Sequence, residues 1–553
     1  VALRKLLEIK GNEIGKQKWQ KMEENMKEQI KSNLINALVN NTEASLNNKI
    51  CDTICGVSSC VYESDEKWDQ LIQYVISNFS VELTPQNLTA TENSLSILSQ
   101  IYFVCNQELE KHSELFINGF KRYFTTDNLN LRTRTISCIS EIFATCEKKH
   151  LKVYKQFSMN ILETILKCAE NVKEESNLLT NLDVLASMCQ EYPIMFKKHF
   201  ADIFILMGKL IEKKDDISDN IRELAFEVIL SLGSKYPKLM KETEKMKILL
   251  ELIFKYALEM DDEVPADWLN PKSDSLIDED VIPEEKLHAA LLLIERLLEN
   301  GDNQKQVLGL IADIVLMFIK NESHWRYKYI GFMVVSQIVE SIDDIKNISH
   351  IFPEIYANLT NAHPKIRFSC LECINSFSEQ FSPIFQNENY QYVIGNCLTL
   401  FKDPCLRIRM EACFCLESFF ESVNDQVAME YCEKILNEIF AIFLQEEVQV
   451  NLIDSLLNLT CEIVKALDQK FKPYAEKCMQ IFCEFLFKIY KMKVKSSLYG
   501  PLLVVISTIG PIQKESFEHY LPSLTEISVD IQNNVSSFED PVLKSLGVAW
   551  EAM

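Results

Sequence analysis

The chain has 553 residues, of which 47% are hydrophobic and only 13 are glycine. Proteins built from strands need glycine in many tight turns, so this composition favours helices and supplies enough apolar residues for a large core. The formal net charge of −23 argues against a nucleic-acid backbone or an anionic membrane as the main partner and favours a basic partner. No apolar run reaches the roughly 18 residues that a membrane span requires.

The two ends of the chain both read as parts of longer helices. The first residues, VALRKLLEIKG, have the pattern of the middle of a helix, and SLGVAWEAM closes the chain equally abruptly. We therefore expect an ordered fragment of a longer protein. The 18 cysteines follow no disulfide pattern and often occupy apolar helical positions, which is typical of buried thiols in a reducing compartment.

A helical motif recurs along the chain, and in most copies it begins with an apolar anchor residue followed by a cation. The anchors are Leu131, Ile221, Tyr327, Ile366, Ile408 and Val450. The intervals are 39 and 42 residues in the centre, and the first two anchors are 90 residues apart, or two units of 45. Each copy follows another amphipathic helix, and a helix–turn–helix unit of this length is typical of HEAT repeats. We predict an all-α protein of about a dozen HEAT repeats, stacked as a right-handed superhelical solenoid.

One acidic segment interrupts the repeats. The segment from Glu259 to Glu285 contains eleven acids, counting both ends, and one lysine, which predicts a loop inserted within a repeat. The loop is either a solvated insert or a contact for a basic partner. The predicted organisation is amino-terminal repeats over 1–258, the insert over 259–286, central repeats over 287–425 and further repeats over 426–553.

The segment HPKIRFSCLECI, residues 363–374, contains a C-x-x-C pair and two cations. A zinc site needs about four ligands, and no second pair with suitable spacing accompanies Cys370 and Cys373. Cys370 lies on the apolar stripe of a predicted helix and Cys373 borders it, so we predict that both pack in the core. Arg367 recurs at its position in several repeats and is expected to pair with an acid of a neighbouring repeat.

Three consecutive repeats carry a glutamate thirteen positions after the anchor, namely Glu340, Glu379 and Glu421, here called the glutamate row. The same position holds Ala144 and Ser234 in earlier repeats, so the acid is not a rule of the whole array. Stacked second helices align equivalent positions, so these carboxylates should lie in line across the solenoid.

Further polar residues surround the glutamate row. Glu372 and Glu417 enlarge the acidic surface, and Gln337, Ser376 and Ser418 form a second row ten positions after the anchors. Packed helices lie about 8–10 Å apart, a distance that an extended chain covers in about three residues. The row therefore suits an extended peptide with a basic residue at about every third position, and the alternative is an acidic, solvated face.

Catalytic motifs are absent from the sequence. It contains no G-x-x-x-x-G-K-[ST], G-x-G-x-x-G or H-E-x-x-H pattern, and its eight histidines are scattered. We predict no enzymatic activity, no cofactor and no metal site.

The central repeats resemble a known family. The stretches HWRYKYIGFMVVSQIVESID, HPKIRFSCLECINSFSEQFSP and LRIRMEACFCLESFFESV are similar to the importin-beta (karyopherin-beta) family, most of all to its karyopherin-beta-three branch, the importin-five type. Weaker traces in the family's order, such as NKICDTICGV, FKKHFADI, DWLN and QKFKPYAEKCM, extend the resemblance over nearly the whole chain.

The resemblance implies a nuclear transport receptor that binds cargo on the concave surface of its second helices and releases it to the GTP form of Ran. It also implies contacts with Phe-Gly nucleoporins, a monomer, and shuttling between cytoplasm and nucleus, with no membrane or direct nucleic-acid partner. In this branch, acids on the middle second helices hold lysine-rich signals. Glu340 and Glu421 match such acids, whereas Glu379 falls beside the usual position, which Gln380 occupies. Ser418 stands where the family commonly has an asparagine.

The resemblance also implies Ran contacts at two places. Lys49 and Asp52 match a family helix that borders the Ran site, and the acidic insert resembles the family's acidic loop. The residues of the insert concerned are Asp267, Asp278, Glu279 and Asp280. The competing hypothesis is a HEAT-repeat scaffold that holds a stable complex and has no transport cycle.

Overall fold

The computed structural model describes residues 13–41, 43–145, 153–240, 243–271, 285–299, 304–445, 449–492 and 497–534. Within these ranges the chain forms α-helices and short 3-10 turns, with no strand. The α-helices longer than one turn are α1 (Glu13–Gln20), α2 (Glu24–Asn40), α3 (Ala44–Glu63), α4 (Asp69–Ser80), α5 (Leu88–Leu109), α6 (Ser113–Phe124), α7 (Leu129–Thr145), α8 (Ser158–Ala169), α9 (Glu175–Glu191), α10 (Phe200–Ile211), α11 (Asp219–Lys235), α12 (Thr243–Ala257), α13 (Glu285–Glu299), α14 (Gln304–Ile319), α15 (Trp325–Ile338), α16 (Phe352–Asn358), α17 (Pro364–Gln380), α18 (Ile384–Leu400), α19 (Leu406–Phe420), α20 (Asp425–Phe443), α21 (Val450–Leu467), α22 (Lys472–Lys491), α23 (Tyr499–Gln513) and α24 (Leu521–Asn534).

The helices alternate as the first and second members of repeats. The second helices in the described ranges are α3, α5, α7, α9, α11, α13, α15, α17, α19, α21 and α23. All six predicted anchors fall in the first turn of a second helix, in α7, α11, α15, α17, α19 and α21. The predicted repeat and its period are therefore confirmed.

The chain divides into two compact units, Val1–Leu252 and Ile253–Met553. Within the first unit, the second helices α3, α5, α7, α9 and α11 pack in succession. Within the second unit, α13, α15, α17, α19, α21 and α23 do the same. No helix in the described ranges is long and apolar enough to cross a membrane. The limits of the four predicted segments stay predictions.

The helix α17 shows how an amphipathic stripe builds the core. Ile366, Cys370, Ile374 and Phe377 recur at helical spacing, and all four are buried. Burying an apolar side chain of this size contributes roughly 1.5–3 kcal/mol. Cys370 and Cys373 are both fully buried, and the Cys373 thiol donates to the Phe332 carbonyl oxygen on α15 at 3.1 Å. The prediction that the C-x-x-C pair is packing is confirmed.

Arg367 links neighbouring repeats, as predicted. Its Nε and Nη2 atoms donate to the two Asp403 carboxylate oxygens at 2.8 Å each, and Asp403 lies just before α19. The equivalent arginines of two earlier repeats also make contacts close to them in the chain. Arg222 pairs with Asp219 of its own helix at 2.9 Å, and Arg132 donates to the Thr126 carbonyl oxygen at 2.6 Å.

The segment predicted as the acidic insert, 259–286, follows the helix α12 and reaches the first residues of α13, which begins at Glu285. Its first part contains a one-turn helix, Ala266–Leu269. The predicted contact residues Asp278, Glu279 and Asp280 lie outside the described residues.

Candidate functional site

The glutamate row lies at the carboxyl-terminal ends of three adjacent second helices. Glu340 is in the 3-10 turn that continues α15, Glu379 is in the last turn of α17, and Glu421 is the residue at which α19 ends. All three side chains are exposed. Helix carboxyl ends carry partial negative charge, so acids there add to an unfavourable potential that a basic ligand relieves.

The three carboxylates are close enough to influence each other. The pKa of Glu379 is raised, first by partial burial and then by the charges of Glu421 on one side and Glu340 on the other. Asn375 donates to Glu379 from the preceding turn at 3.4 Å. The structure therefore brings the predicted row together, with Glu379 as its middle member.

A pair of less exposed acids lies beside the row, between α17 and α19. Burial, and then the charge of Glu379, raise the pKa of Glu372 to about 7. Glu411 lies on α19, where burial and then the charge of Glu372 raise its pKa well above the usual range, while Arg407 opposes the shift. The Glu411 Oε1 atom is buried and has no hydrogen-bond partner in the described structure. We call Glu372 and Glu411 the acid pair.

The acidic surface extends one repeat further on each side of the row. On α19, burial and then the charges of Glu462, Glu421 and Asp454 raise the pKa of Glu417 to about 7, against a lowering effect of Lys465. On the other side, the Gln337 amide donates to the Glu295 carboxylate on α13 at 3.2 Å.

Four acids of this surface were not among the predicted site residues. They are Glu295, Glu411, Asp454 and Glu462. None of them falls thirteen positions after an anchor, so the spacing that reveals the row gives no signal for them.

The structure does not leave all three members of the predicted second polar row accessible. Gln337 and Ser376 are partly buried, and the Ser376 hydroxyl donates to the Glu372 carbonyl oxygen of its own helix at 3.0 Å. Ser418 is 6% exposed, so its expected place on an accessible row is wrong. The helix α19 packs against α17 on one side and α21 on the other, and Ser418 is buried between them.

The residues predicted to contact Ran lie in separate parts of the chain. Lys49 is exposed and Asp52 is partly buried, less than one turn further along α3 in the first unit. Asp267 is exposed in the one-turn helix of the second unit.

The raised pKa of Glu372 predicts a pH-dependent stability. Its ordinary pKa is 4.5, so between about pH 4.5 and 7 the folded chain binds more protons than the unfolded chain, and the free energy of unfolding falls as the pH rises. We expect Glu372→Gln to remove this loss and to stabilise the chain at pH 8 by about 1–3 kcal/mol. Urea denaturation at pH 5.5 and pH 8 checks this, with the exposed Glu388→Gln on α18 as the control. Equal pH slopes for the wild type and Glu372→Gln would contradict the burial of this carboxyl.

Comparisons with known proteins find similar sequences and similar folds. The family model described as "IPO5-like, TPR repeats" matches residues 42–206. A curated relative, importin subunit beta-3 of Saccharomyces cerevisiae, is 21% identical over 530 residues, covering 94% of this chain and 46% of the relative. The chain thus spans about half the length of that relative.

Solved structures of Kap121p share the fold. The structure of Kap121p bound to Pho4p has a TM-score of 0.78 at 19% identity and covers 100% of this chain and 53% of that chain. Kap121p bound to RanGTP has a TM-score of 0.74 at 18% identity, covering 100% of this chain and 52% of that chain. A Kap121p mutant with three acids changed to lysine has a TM-score of 0.79 at 18% identity, covering 100% and 53%.

These matches confirm the all-α HEAT-repeat solenoid predicted from the periodicity. The matched family model and the curated relative carry the same assignment as the sequence resemblance. The chain is therefore similar in sequence to the importin-beta family, and within it to the karyopherin-beta-three branch of importin-five type.

Proposed function

We propose that this protein is a nuclear import receptor, which binds lysine-rich localisation signals at the glutamate row and releases them when Ran binds in its GTP form. The observation that carries the proposal is the convergence of three carboxylates from consecutive second helices, each at a negative helix end. A fixed line of carboxylates suits an extended chain with lysines at matching intervals better than it suits a single cation.

The spacing of the row sets the form of the ligand. Neighbouring second helices about 8–10 Å apart require about three extended residues between successive basic side chains. Burial first, and then neighbouring acids, raise the pKa values of Glu372 and Glu417 to about 7, so both ionise near neutral pH, and binding of a lysine beside them favours their ionised forms. Affinity for such a peptide should therefore rise between about pH 6 and 8.

The relatives support the cargo and Ran parts of the proposal. Kap121p has been crystallised with Pho4p, Nup53p, Ste12p and RanGTP, and a mutant of it replaces three acids by lysine at intervals of about one repeat. We extend this to basic cargo at the glutamate row on a concave face of this chain. We place the Ran contacts at Lys49, Asp52 and the acidic insert.

The remaining parts of the proposal follow from the family. The receptor acts as a monomer, uses Phe-Gly nucleoporins to cross the nuclear pore, and shuttles between cytoplasm and nucleus. It carries out transport and no enzymatic step.

A binding assay with Ran separates this function from that of a static scaffold. A fluorescent lysine-rich peptide is bound to the protein, and Ran loaded with GTP or with GDP is added. We expect Ran-GTP to displace the peptide and Ran-GDP to leave it bound. A peptide that stays bound at saturating Ran-GTP would favour the scaffold, provided that a pull-down shows that Ran-GTP itself has bound.

A further inference from the structure

The first part of the acidic insert crosses the amino-terminal ends of the same helices that carry the glutamate row. This segment, residues 259–271, is here called the strap. At its first anchor, an Asp262 carboxylate oxygen lies 3.4 Å from Arg326 Nη2 and 3.0 Å from His324 Nε2, and it accepts a hydrogen bond from the Trp325 indole at 3.3 Å. Asp262 therefore ties the strap to the start of α15.

The second anchor is Trp268, which bridges α17 and α19. The Lys365 ammonium lies 5.4 Å from the Trp268 ring centroid, and the Arg407 guanidinium lies 5.3 Å from it. The Phe368 ring packs edge-on against the indole at 5.5 Å. The Trp268 carbonyl oxygen accepts from Arg407 Nε at 2.6 Å, and the Cys405 thiol donates to the next carbonyl oxygen of the strap at 3.2 Å.

The cations that contact the strap occupy the same position in three consecutive repeats. Arg326, Lys365 and Arg407 each stand one position before the anchor residue of their helix, so they recur at 39 and 42 residues like the anchors themselves. Lys365 is only 2% exposed, and its ammonium also lies over the rings of Trp325 and Tyr329, at 5.8 and 5.4 Å. Each helix therefore meets the strap at its start.

Each of these helices presents its member of the glutamate row at the other end. Fourteen residues separate the cation from the glutamate in all three cases. At 1.5 Å per helical residue this is about 21 Å. Because each helix is rigid, a tilt or shift of its start at the strap also moves the glutamate at its other end.

The strap supplies a contact that the repeats themselves lack. In a solenoid each repeat contacts mainly its neighbours, so small rotations accumulate along the stack. The strap touches both α15 and α19, which are not neighbours, and α17 between them. We infer that the strap fixes the spacing of α15, α17 and α19 and thereby preorganises the glutamate row, with Asp262 and Trp268 as positioning residues. This inference rests on the proposed function of the row.

The test compares peptides that span different numbers of repeats. Trp268→Ala should lower the affinity for a peptide with three spaced lysines by roughly three- to tenfold. Without the strap, part of the binding free energy is used to bring the three helices into register. A peptide whose two lysines match neighbouring repeats should lose less than about twofold, since adjacent helices still pack directly. Trp268→Phe keeps an aromatic face for the cations and should recover most of the affinity, and Asp262→Asn gives a milder loss if Trp268→Ala folds poorly.

The control is Tyr392→Ala, which removes an exposed aromatic of α18 that stacks on Tyr356 away from the strap, and it should leave both affinities unchanged. Equal losses for the two peptides, or no loss for either, would overturn the inference. Amide hydrogen exchange tests whether the strap stabilises the helix starts, and it needs no peptide. Trp268→Ala should speed exchange at the starts of α17 and α19, and unchanged exchange would overturn the inference even if the glutamate row fails to bind peptide at all.

Discussion

Changing Glu340, Glu379 and Glu421 together to lysine is expected to lower the affinity for a three-lysine peptide at least about 100-fold. Each change replaces an attractive contact by a repulsive one, and after partial burial it is the charges of its two neighbours in the row that raise the pKa of Glu379. Fluorescence anisotropy measures the effect. The wild-type affinity should also fall steeply as salt is raised above about 0.1 M, where the screening length is about 10 Å.

The control is a second triple variant that changes the net charge by the same amount at positions outside the glutamate row. Glu388, Glu430 and Glu433 are exposed on the first helices α18 and α20, and replacing them by lysine adds the same six units of charge. If the two triple variants lose equal affinity, the binding depends on total charge and the row has no special place in it.

Breaking the ion pair between Arg367 and Asp403 should have the largest effect on stability. The two side chains are 10% and 5% exposed, and Arg367 also donates to the carbonyl oxygens of Asn361 and Ala362 at 2.8 and 3.1 Å. Arg367→Ala leaves a buried carboxylate without its partner and is expected to cost about 3–5 kcal/mol in the free energy of unfolding. Urea denaturation measures this cost.

Two further variants test whether the loss of stability comes from leaving a buried charge unpaired. Arg367→Met combined with Asp403→Leu removes both charges and should recover part of the stability, although the carbonyl groups near Asn361 stay unpaired. Lys402→Ala breaks the more exposed pair with Glu438, whose atoms are 2.8 Å apart, and should cost less than about 1 kcal/mol. A small effect at Arg367, similar to that at Lys402, would show that the buried geometry is unimportant.

The fold was predictable because its pattern repeats. An apolar anchor followed by apolar residues at helical spacing recurs at about 40–45 residues, and every anchor lies in the first turn of a second helix. The same regularity predicted the line of glutamates, since equivalent positions of stacked helices must align. It also predicted that Cys370 and Cys373 pack in the core, because Cys370 lies on the apolar stripe and Cys373 borders it.

The parts that escaped prediction depend on contacts between helices. Ser418 has the spacing of an exposed residue, but the packing of α19 between two neighbours buries it. Glu411 lies outside the repeating positions, and only the fold brings it next to Glu372. The contact of Trp268 with Arg407 joins residues 139 positions apart, so no local pattern could predict the strap.

The most direct test of the account is to join the peptide to the residues that it contacts. A carbodiimide couples a carboxylate to a lysine amine without a spacer, so only side chains in contact react. We expect a three-lysine peptide to give cross-links to Glu340, Glu379 and Glu421, with successive lysines joined to successive glutamates and the order of the row preserved. Cross-links spread over the exposed acids of the first helices, with the row unmodified, would contradict the proposed site.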